Sequence, residues 1–390
     1  MIRIAIWFDA PHDYHGGINY FKNLLYAVSK VKNSNVKFYI FFSSDMPEEI
    51  LKIFRPYGKI IITKVLTRYS LMWLIHQLLM RIFNSALMIN IVFKLYSIDI
   101  VSHSWIKIKK NRNYKIITWI PDFQYLHLPE FFPNLDEQDE TKNLKEIISN
   151  SQCVILSSNH AYKDFSSICN PKDLQKGTVL NFVSQPSHND IETNAIDKFG
   201  IDKKFFFLPN QFWKHKNHLV VFKAIKRLKD KGLNLSLVCS GVTHDHRLKE
   251  NTYLNEIFQY IEENSLGDNI NILGKIEYKY VLSLMKKSIA VINPSFFEGW
   301  SSTVEEAKSL GKKIILSDIE VHKEQNPKNS VYFDPKNEEI LSKILENEFL
   351  NKEPNNQTST FEETEADLEK RTNKFGVNYL NLIRKVYDEC

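Results

Sequence analysis

Four cysteines in 390 residues, Cys153, Cys169, Cys239 and Cys390, lie far apart, with no C-x-x-C and no histidine at metal-ligand spacing from them. That pattern argues against a zinc site and a disulfide framework, and reduced thiols in a cytoplasmic protein are the expectation. Charge of one sign is missing too: 51 Lys and Arg against 46 Asp and Glu leave a formal net charge of only +5, mixed along the chain. No face is committed to nucleic acid on that balance, and a mild affinity for anionic substrates or surfaces is all it supports. A long uninterrupted apolar run is also absent. The nearest, "SLMWLIHQLLMRIFNSALMINIVFKLY" at 70–96, is broken by His76, Gln77, Arg81, Asn84, Asn90 and Lys94. A spanning helix needs about 20 mostly apolar residues, so this stretch reads as one or two core or surface helices. A sharper reading makes it a surface that rests on a membrane and receives a lipid-linked substrate. The opening "MIRIAIWFDA" has too short an apolar run before Asp9 for a signal peptide and reads as a first buried strand.

What is present is material for two ordinary cores: 390 residues, 43% apolar and 13% aromatic. Short apolar runs alternate with helix-length segments: "IRIAIWF", "VKFYIFF", "KIIIT", "IDIVSH", "KIITWI" and "CVILSS" in the first half, then "KFFFLPN", "NLSLVCSG", "INILG", "IAVINPS" and "KIILSD". Such runs read as parallel strands of α/β units, and two Rossmann-like domains facing across a cleft follow. The expected boundaries are 1–185 for the first domain, a polar linker at 186–203, 204–365 for the second domain, and a C-terminal helix at 366–390 that packs back on the first. A loose polar loop is expected at 351–370, and no repeat of solenoid period occurs.

The segment "FEGWSSTVEEA" at 297–307 carries the chemistry. "AVINPS" reads as a strand, "FFEGW" as the turn at its C-terminal end, and "STVEEAKSL" as the following helix, the place where open α/β sheets bind ligands. Ser302 and Glu305 fit an S-x-x-E capping box, which gives Glu305 a structural task. Glu298 and Glu306 are then free to meet a ligand. The helix N-terminus suits phosphate, and carboxylates beside a phosphate site suit sugar hydroxyls, so the residues point to a nucleotide sugar. Taken by itself the segment reads first as a capped surface helix with solvated glutamates.

The spacing of Glu298 and Glu306 within P-S-x-x-E-G-x-x-x-x-x-x-E-A resembles the E-x7-E element of the retaining family-4 glycosyltransferases (glycosyltransferase group 1 type), which have the two-domain GT-B fold. "SDIEVHKEQ" with "YFDP", "FLPNQFWKHKNH", "NILGKIEYKYVLSLMKKSIAVINPS" and "HGGINYFKNLLYAV" are similar to further family segments in the same order. The resemblance implies that Glu306 holds the donor ribose, Glu298 the transferred sugar and Lys216 the diphosphate. It places Gln211 where the family commonly has arginine, with Lys214 and His215 as compensating neighbours. Gly299, Trp300, Ser301, Ser302, Gly274, Lys275 and Ile276 complete the expected donor contacts.

Gly16 and Gly17 sit after the first strand, where glycine lets backbone N–H groups approach a phosphate or sugar closely; a tight strand-to-helix turn needs the same residues. In "WIPDFQYLHLPEFFP" Pro121 occupies the family's histidine position, which leaves Asp122 to orient a donor or acceptor hydroxyl and His127 to face the acceptor. A surface or core role for His127 is the alternative. D-x-D occurs nowhere, so no paired carboxylates are arranged to hold Mg²⁺ on a diphosphate, and transfer without a metal or other cofactor is expected. The resemblance implies retention at the anomeric carbon, a UDP- or GDP-sugar donor, and a glycan or lipid-linked glycan acceptor of a bacterial surface polysaccharide. It also implies a cytoplasmic protein, peripheral on the inner face of the membrane. A phosphorylase or epimerase of the same fold, or a non-catalytic sugar-nucleotide-binding scaffold, are the alternatives.

Overall fold

The structure is a computed structural model that describes residues 1–8, 15–83, 85–105, 112–132, 135–186, 192, 194–201, 204–243, 252–351 and 361–389. A seven-stranded parallel sheet comes first: β1 (Ile2–Trp7), β2 (Val36–Phe42), β3 (Lys59–Ile62), β4 (Ile100–Ser102), β5 (Lys115–Ile120), β6 (Cys153–Leu156) and β7 (Gly177–Val179), in the order β3-β2-β1-β4-β5-β6-β7. A six-stranded parallel sheet follows: β8 (Phe205–Leu208), β9 (Ser236–Cys239), β10 (Ile270–Ile272), β11 (Val291–Asn293), β12 (Ile314–Ser317) and β13 (Ser330–Phe333), in the order β10-β9-β8-β11-β12-β13. Both are doubly wound, as expected of Rossmann-like domains. Helices cover both faces of such sheets, which is why the strands read as unbroken apolar runs: Phe205, Phe206, Phe207 and Leu208 are all fully buried. Two edge strands, β7 and β13, are mostly half-buried and carry Gly, Thr and Ser where the other two edges, β3 and β10, carry isoleucines, so they show no apolar run.

Strand order reverses between β1 and β4 in one sheet and between β8 and β11 in the other. Ligands of doubly wound sheets bind beyond the carboxyl ends of the strands at such a reversal. The chain divides into one unit of Met1–Phe123, Leu135–Val183 and Lys370–Cys390 and a second of Gln124–Asn134 and Ser184–Glu369. The stretch read as a linker is not wholly extended. A short helix, Ala195–Phe199, lies within it, and Ala195 and Ile201 are buried in a core cluster of the second unit with Phe205 and Phe207. Five residues are too few to show a helical period, so the sequence hid it. Of the expected loose loop, 352–360 lies outside the described residues, and the helix Phe361–Asp388 follows it. In the first unit that helix passes so close to the helix His15–Lys30 that a Cβ at Gly376 would lie 2.4 Å from the Ala27 carbonyl oxygen. Lys115 Nζ donates to the carbonyls of Val386 and Tyr387 at 2.8 and 3.0 Å, binding the helix's exposed C-terminal acceptors.

Candidate active site

The loops leaving β8 and β11 meet in a lattice of buried polar side chains. Asn210 Nδ2 donates to Asn293 Oδ1 at 3.0 Å, and Asn293 Nδ2 donates to Ser301 Oγ at 2.8 Å. Ser301 Oγ in turn accepts from the Val304 N–H at 3.4 Å and so caps the helix Ser302–Ser309. This corrects the expected capping box: the cap is Ser301 rather than Ser302, and the residue three positions on is Val304, which has no carboxylate to return. Glu305 is structural by another route. Its carboxylate is almost fully buried and accepts from Gln325 Nε2 and Lys308 Nζ, both at 3.1 Å, while Gln325 also brackets the backbone N–H and carbonyl of Ser301. With Ser301 and Val304 N–H groups engaged, Ser302 and Thr303 N–H remain at the helix start to face an anion.

Lys216 and Glu298, 82 positions apart, form a partly buried pair at this helix end: the ammonium donates to both carboxylate oxygens, at 2.7 and 2.9 Å. Ser295 Oγ donates to the same carboxylate at 2.6 Å. Burial pushes the Glu298 carboxyl up, but the Lys216 ammonium, with smaller help from His322 and Ser295, outweighs it and holds the group below its ordinary value. His322 is itself buried, with Nδ1 on the Ser317 carbonyl at 3.0 Å and Nε2 lacking a hydrogen-bond partner; burial lowers its pKa, against the opposing pull of Glu298. Glu306 differs. It is also buried, but only the Tyr278 hydroxyl opposes desolvation, donating at 2.8 Å, and its pKa rises to about 7. Glu298 and Glu306 are therefore not solvated carboxylates on a surface helix.

Gln211 is half-buried on the β8 loop, Lys214 is exposed with its ammonium 5.5 Å from the Phe131 ring centre, and His215 is buried with its carbonyl accepting from Phe296 N–H at 2.8 Å. Gly241, after β9, permits a close approach to that loop: a Cβ there would lie 2.3 Å from the Asn210 oxygen and 2.8 Å from the Gln211 nitrogen. Its N–H donates to the Gly274 carbonyl at 2.9 Å, which brings Gly274, Lys275 and Ile276 to the neighbouring loop. Gly299 is buried and Trp300 half-buried on the turn before the cap. Sequence reasoning missed Tyr278, Asn210, Asn293, Ser295, His322 and Gln325. An asparagine at the end of each of two buried strands was the available signal, since a buried amide demands partners.

In the first unit Gly16 and Gly17 lie inside the first turn of the helix His15–Lys30 rather than in a loop before it. Asp122 is half-buried two residues past β5. His127 falls in the second unit, exposed, with its ring 5.0 Å from that of Phe297, the residue before Glu298. A histidine not singled out, His103, directly follows β4 with φ +60°. Its Nε2 is 2.8 Å from the Tyr20 hydroxyl and its Nδ1 2.8 Å from Ser102 Oγ, and burial lowers its pKa to about 3, so the ring is neutral.

Comparison with known proteins fits this arrangement. Residues 191–365 match the family model described as glycosyl transferases group 1, a span that contains Gln211, Lys216, Gly274, Glu298 and Glu306. The O-antigen chain mannosyltransferase RfbU of Salmonella typhimurium is 25% identical over 159 residues, 40% of this chain and 42% of that protein. The match thus spans about two fifths of the relative's length. Two solved structures are similar over nearly the whole chain: a glycosyltransferase from Rickettsia africae ESF-5, at 16% identity over 100% of this chain and 99% of the other with a TM-score of 0.67; and Anabaena Alr3699/HepE in complex with UDP and glucose, at 14% identity over 99% and 100% with a TM-score of 0.70. These likenesses show the fold, a pair of Rossmann-like domains of the GT-B glycosyltransferase kind.

Proposed function

We propose that this chain, a member of the group 1 glycosyltransferases through its residues 191–365, moves a sugar from a UDP- or GDP-sugar to a glycan or lipid-linked glycan of a bacterial surface polysaccharide. The observation that carries the reading is the set of Lys216, half-buried, and Glu298 and Glu306, both buried, at the β8/β11 reversal beside a capped helix start. A surface helix has no use for three such groups held largely out of water. Burying them costs free energy that hydroxyl and phosphate partners on a ligand offset.

In this reading the diphosphate draws the Lys216 ammonium away from Glu298, and the lysine with the Ser302 and Thr303 N–H groups takes up charge as the anomeric C–O bond to phosphate breaks. The released Glu298 carboxylate accepts a hydroxyl of the transferred sugar, and Glu306 accepts the ribose hydroxyls where it now accepts Tyr278. Gln211 and the loop at Gly274, Lys275 and Ile276 border the nucleotide, with Gly299, Trp300 and Ser301 shaping the turn between. The acceptor oxygen bonds to the anomeric carbon on the face that phosphate leaves, and its proton passes to the leaving phosphate, so configuration is retained. Absence of D-x-D from the sequence supports transfer without a metal. Gly16, Gly17 and Asp122 are assigned to donor or acceptor hydroxyls and His127 to the acceptor, as the family resemblance implies. The protein works peripherally at the inner face of the membrane, where a lipid-linked acceptor is found.

Thermal stabilisation and slow donor hydrolysis, measured across a panel of UDP- and GDP-sugars, test this. One donor should stabilise the wild type and be hydrolysed, with both effects lost in Glu306→Ala. Equal background rates in the two proteins would sink the enzymatic reading.

A further inference from the structure

The helices Leu71–Phe83 and Leu87–Leu95 of the first unit are built the wrong way out for a protein bathed only in water. The only side chain that Leu71–Phe83 buries is His76, while Leu71, Leu74, Leu78 and Ile82, which share one helical face, are 50–72% exposed. In Leu87–Leu95 a stripe of Leu87, Ile91 and Leu95 faces solvent, opposite Ile89 and Phe93 in the core. Tyr69 at 83% and Phe83 at 67% exposure enlarge the patch. Apolar patches of this extent mark an interaction surface, not ordinary scatter of single exposed residues.

The helices are nonetheless anchored. Phe93, Ile89 and Ala86 belong to a core cluster with Val101 and Ile116, the Tyr114 hydroxyl donates to Asn90 Oδ1 at 2.8 Å, and Ser70 Oγ accepts the Trp73 N–H at 3.1 Å. Neither is long and apolar enough to cross a membrane, nor is any other helix of the described residues. A face of this kind lies on its partner rather than passing through it.

Charge identifies the partner. Residues 50–98 hold seven Lys and Arg, among them Lys64, Arg68, Arg81 and Lys94, and no Asp or Glu. These 49 residues net +7, bounded by Glu48, Glu49 and Asp99, and the same segment exposes its apolar side chains. A second copy of the chain would bring this charge against itself, and a neutral protein surface would leave it unused. Side chains that combine apolar anchors with flanking Lys and Arg match an anionic lipid surface, where acyl chains take the former and headgroup phosphates the latter.

We infer that the helices Leu71–Phe83 and Leu87–Leu95 form a docking surface that lies in the headgroup layer of an anionic membrane. This rests on the reading of the protein as an enzyme with a lipid-linked acceptor and names the surface that brings it there. The test is flotation of the full chain with vesicles of phosphatidylcholine alone and with about one third phosphatidylglycerol, at about 0.1 M and about 0.5 M salt. The wild type should float with the anionic vesicles and be released by salt. Leu78→Asp with Ile82→Asp should abolish flotation, and Arg68→Gln with Arg81→Gln should weaken it about tenfold or more. All four side chains are exposed, so a melting temperature within a few degrees of the wild type's certifies that each variant is folded. Equal flotation with neutral and anionic vesicles, flotation of folded variants at the wild-type level, or a lipid-free dimer in sedimentation velocity that the two Asp substitutions dissociate would each overturn the inference. Donor hydrolysis without vesicles separates the two readings. Wild-type rates in the Asp variants together with lost flotation support the surface, whereas a wild type that floats but hydrolyses no donor refutes the enzyme reading alone.

Discussion

In the second unit Glu298, Glu305 and Glu306 are all buried within nine residues of chain, whereas in the first unit Leu71, Ile82, Phe83 and Leu95 are all more than half exposed. Both places run against the ordinary sorting of charged and apolar groups, and their costs are met differently. Glu305 meets two donors from its own fold, and Glu298 meets a full counter-charge. Glu306 meets one neutral hydroxyl, which leaves its pKa raised to about 7, and Leu71, Leu74, Leu78 and Ile82 on one face of Leu71–Phe83 stay 50–72% exposed. Incompletely compensated groups are the ones that call for a partner from outside the chain. By that criterion Glu305 is architecture, and Glu306 and the exposed helices are the places the two proposals rest on.

Removing the ammonium from the partly buried pair gives the largest effect. Lys216→Ala should lower donor turnover by about 10²–10³-fold, since it deletes the cation that the leaving phosphate would meet, and should leave Glu298 buried without counter-charge. Single-turnover kinetics check it, and a loss below tenfold would move the phosphate cation elsewhere, to Lys214 for example. Glu305→Ala comes next. It strands Gln325 Nε2 and Lys308, and about 2–3 kcal/mol of stability should go in denaturant unfolding, while turnover of the folded fraction stays close to wild type. The reverse pattern in this variant would erase the contrast between Glu305 and Glu306.

The pH dependence sharpens that contrast at smaller amplitude. Burial raises the Glu306 pKa from 4.5 in the unfolded chain to about 7, so between those values the folded protein holds a proton that the unfolded chain has lost. Its stability contribution is therefore present at low pH and declines as pH rises through that window, and Glu306→Gln should flatten the decline. Because ribose hydroxyls need an accepting carboxylate, nucleotide affinity should fall by up to about tenfold per unit below pH 7 in the wild type and stay level in the Gln variant. Titration calorimetry at several pH values decides it. Glu298 behaves oppositely: with its pKa held below the ordinary value, its contribution is present at neutral pH and is lost only as pH falls through the acid range. The smallest expected effect is that of Ser301→Ala, about 1 kcal/mol from the lost cap, read as a modest drop in melting temperature. Should Ser302→Ala cost more than Ser301→Ala, the assignment of the cap is wrong.

Much of the fold was readable before any coordinates. Eleven parallel strands announced themselves as short apolar runs, most of them because burial on both faces leaves no polar position to interrupt a run such as "KFFFLP". The edge strands β7 and β13 and the helix Ala195–Phe199 escaped, being half-solvated or too short for a period to develop. At the site, strand, turn and helix around 297–307 were legible from residue types, and so was the structural character of Glu305, though not its partners Gln325 and Lys308. The spacing S-x-x-E favoured Ser302 as cap, but helix start depends on where the backbone leaves the extended region, and that is Ser301.

By itself the sequence determined two doubly wound domains and the strand, turn and helix around 297–307, because these follow from local period and composition. Only the tertiary structure decided that Lys216 and Glu298 share a partly buried pair across 82 positions, that Glu305 answers to Gln325 and Glu306 to Tyr278, and that the apolar side chains of 71–95 turn outward. A hydrogen bond acts over about 3 Å of space and a desolvation cost over a single side chain's surroundings, and a linear pattern specifies neither.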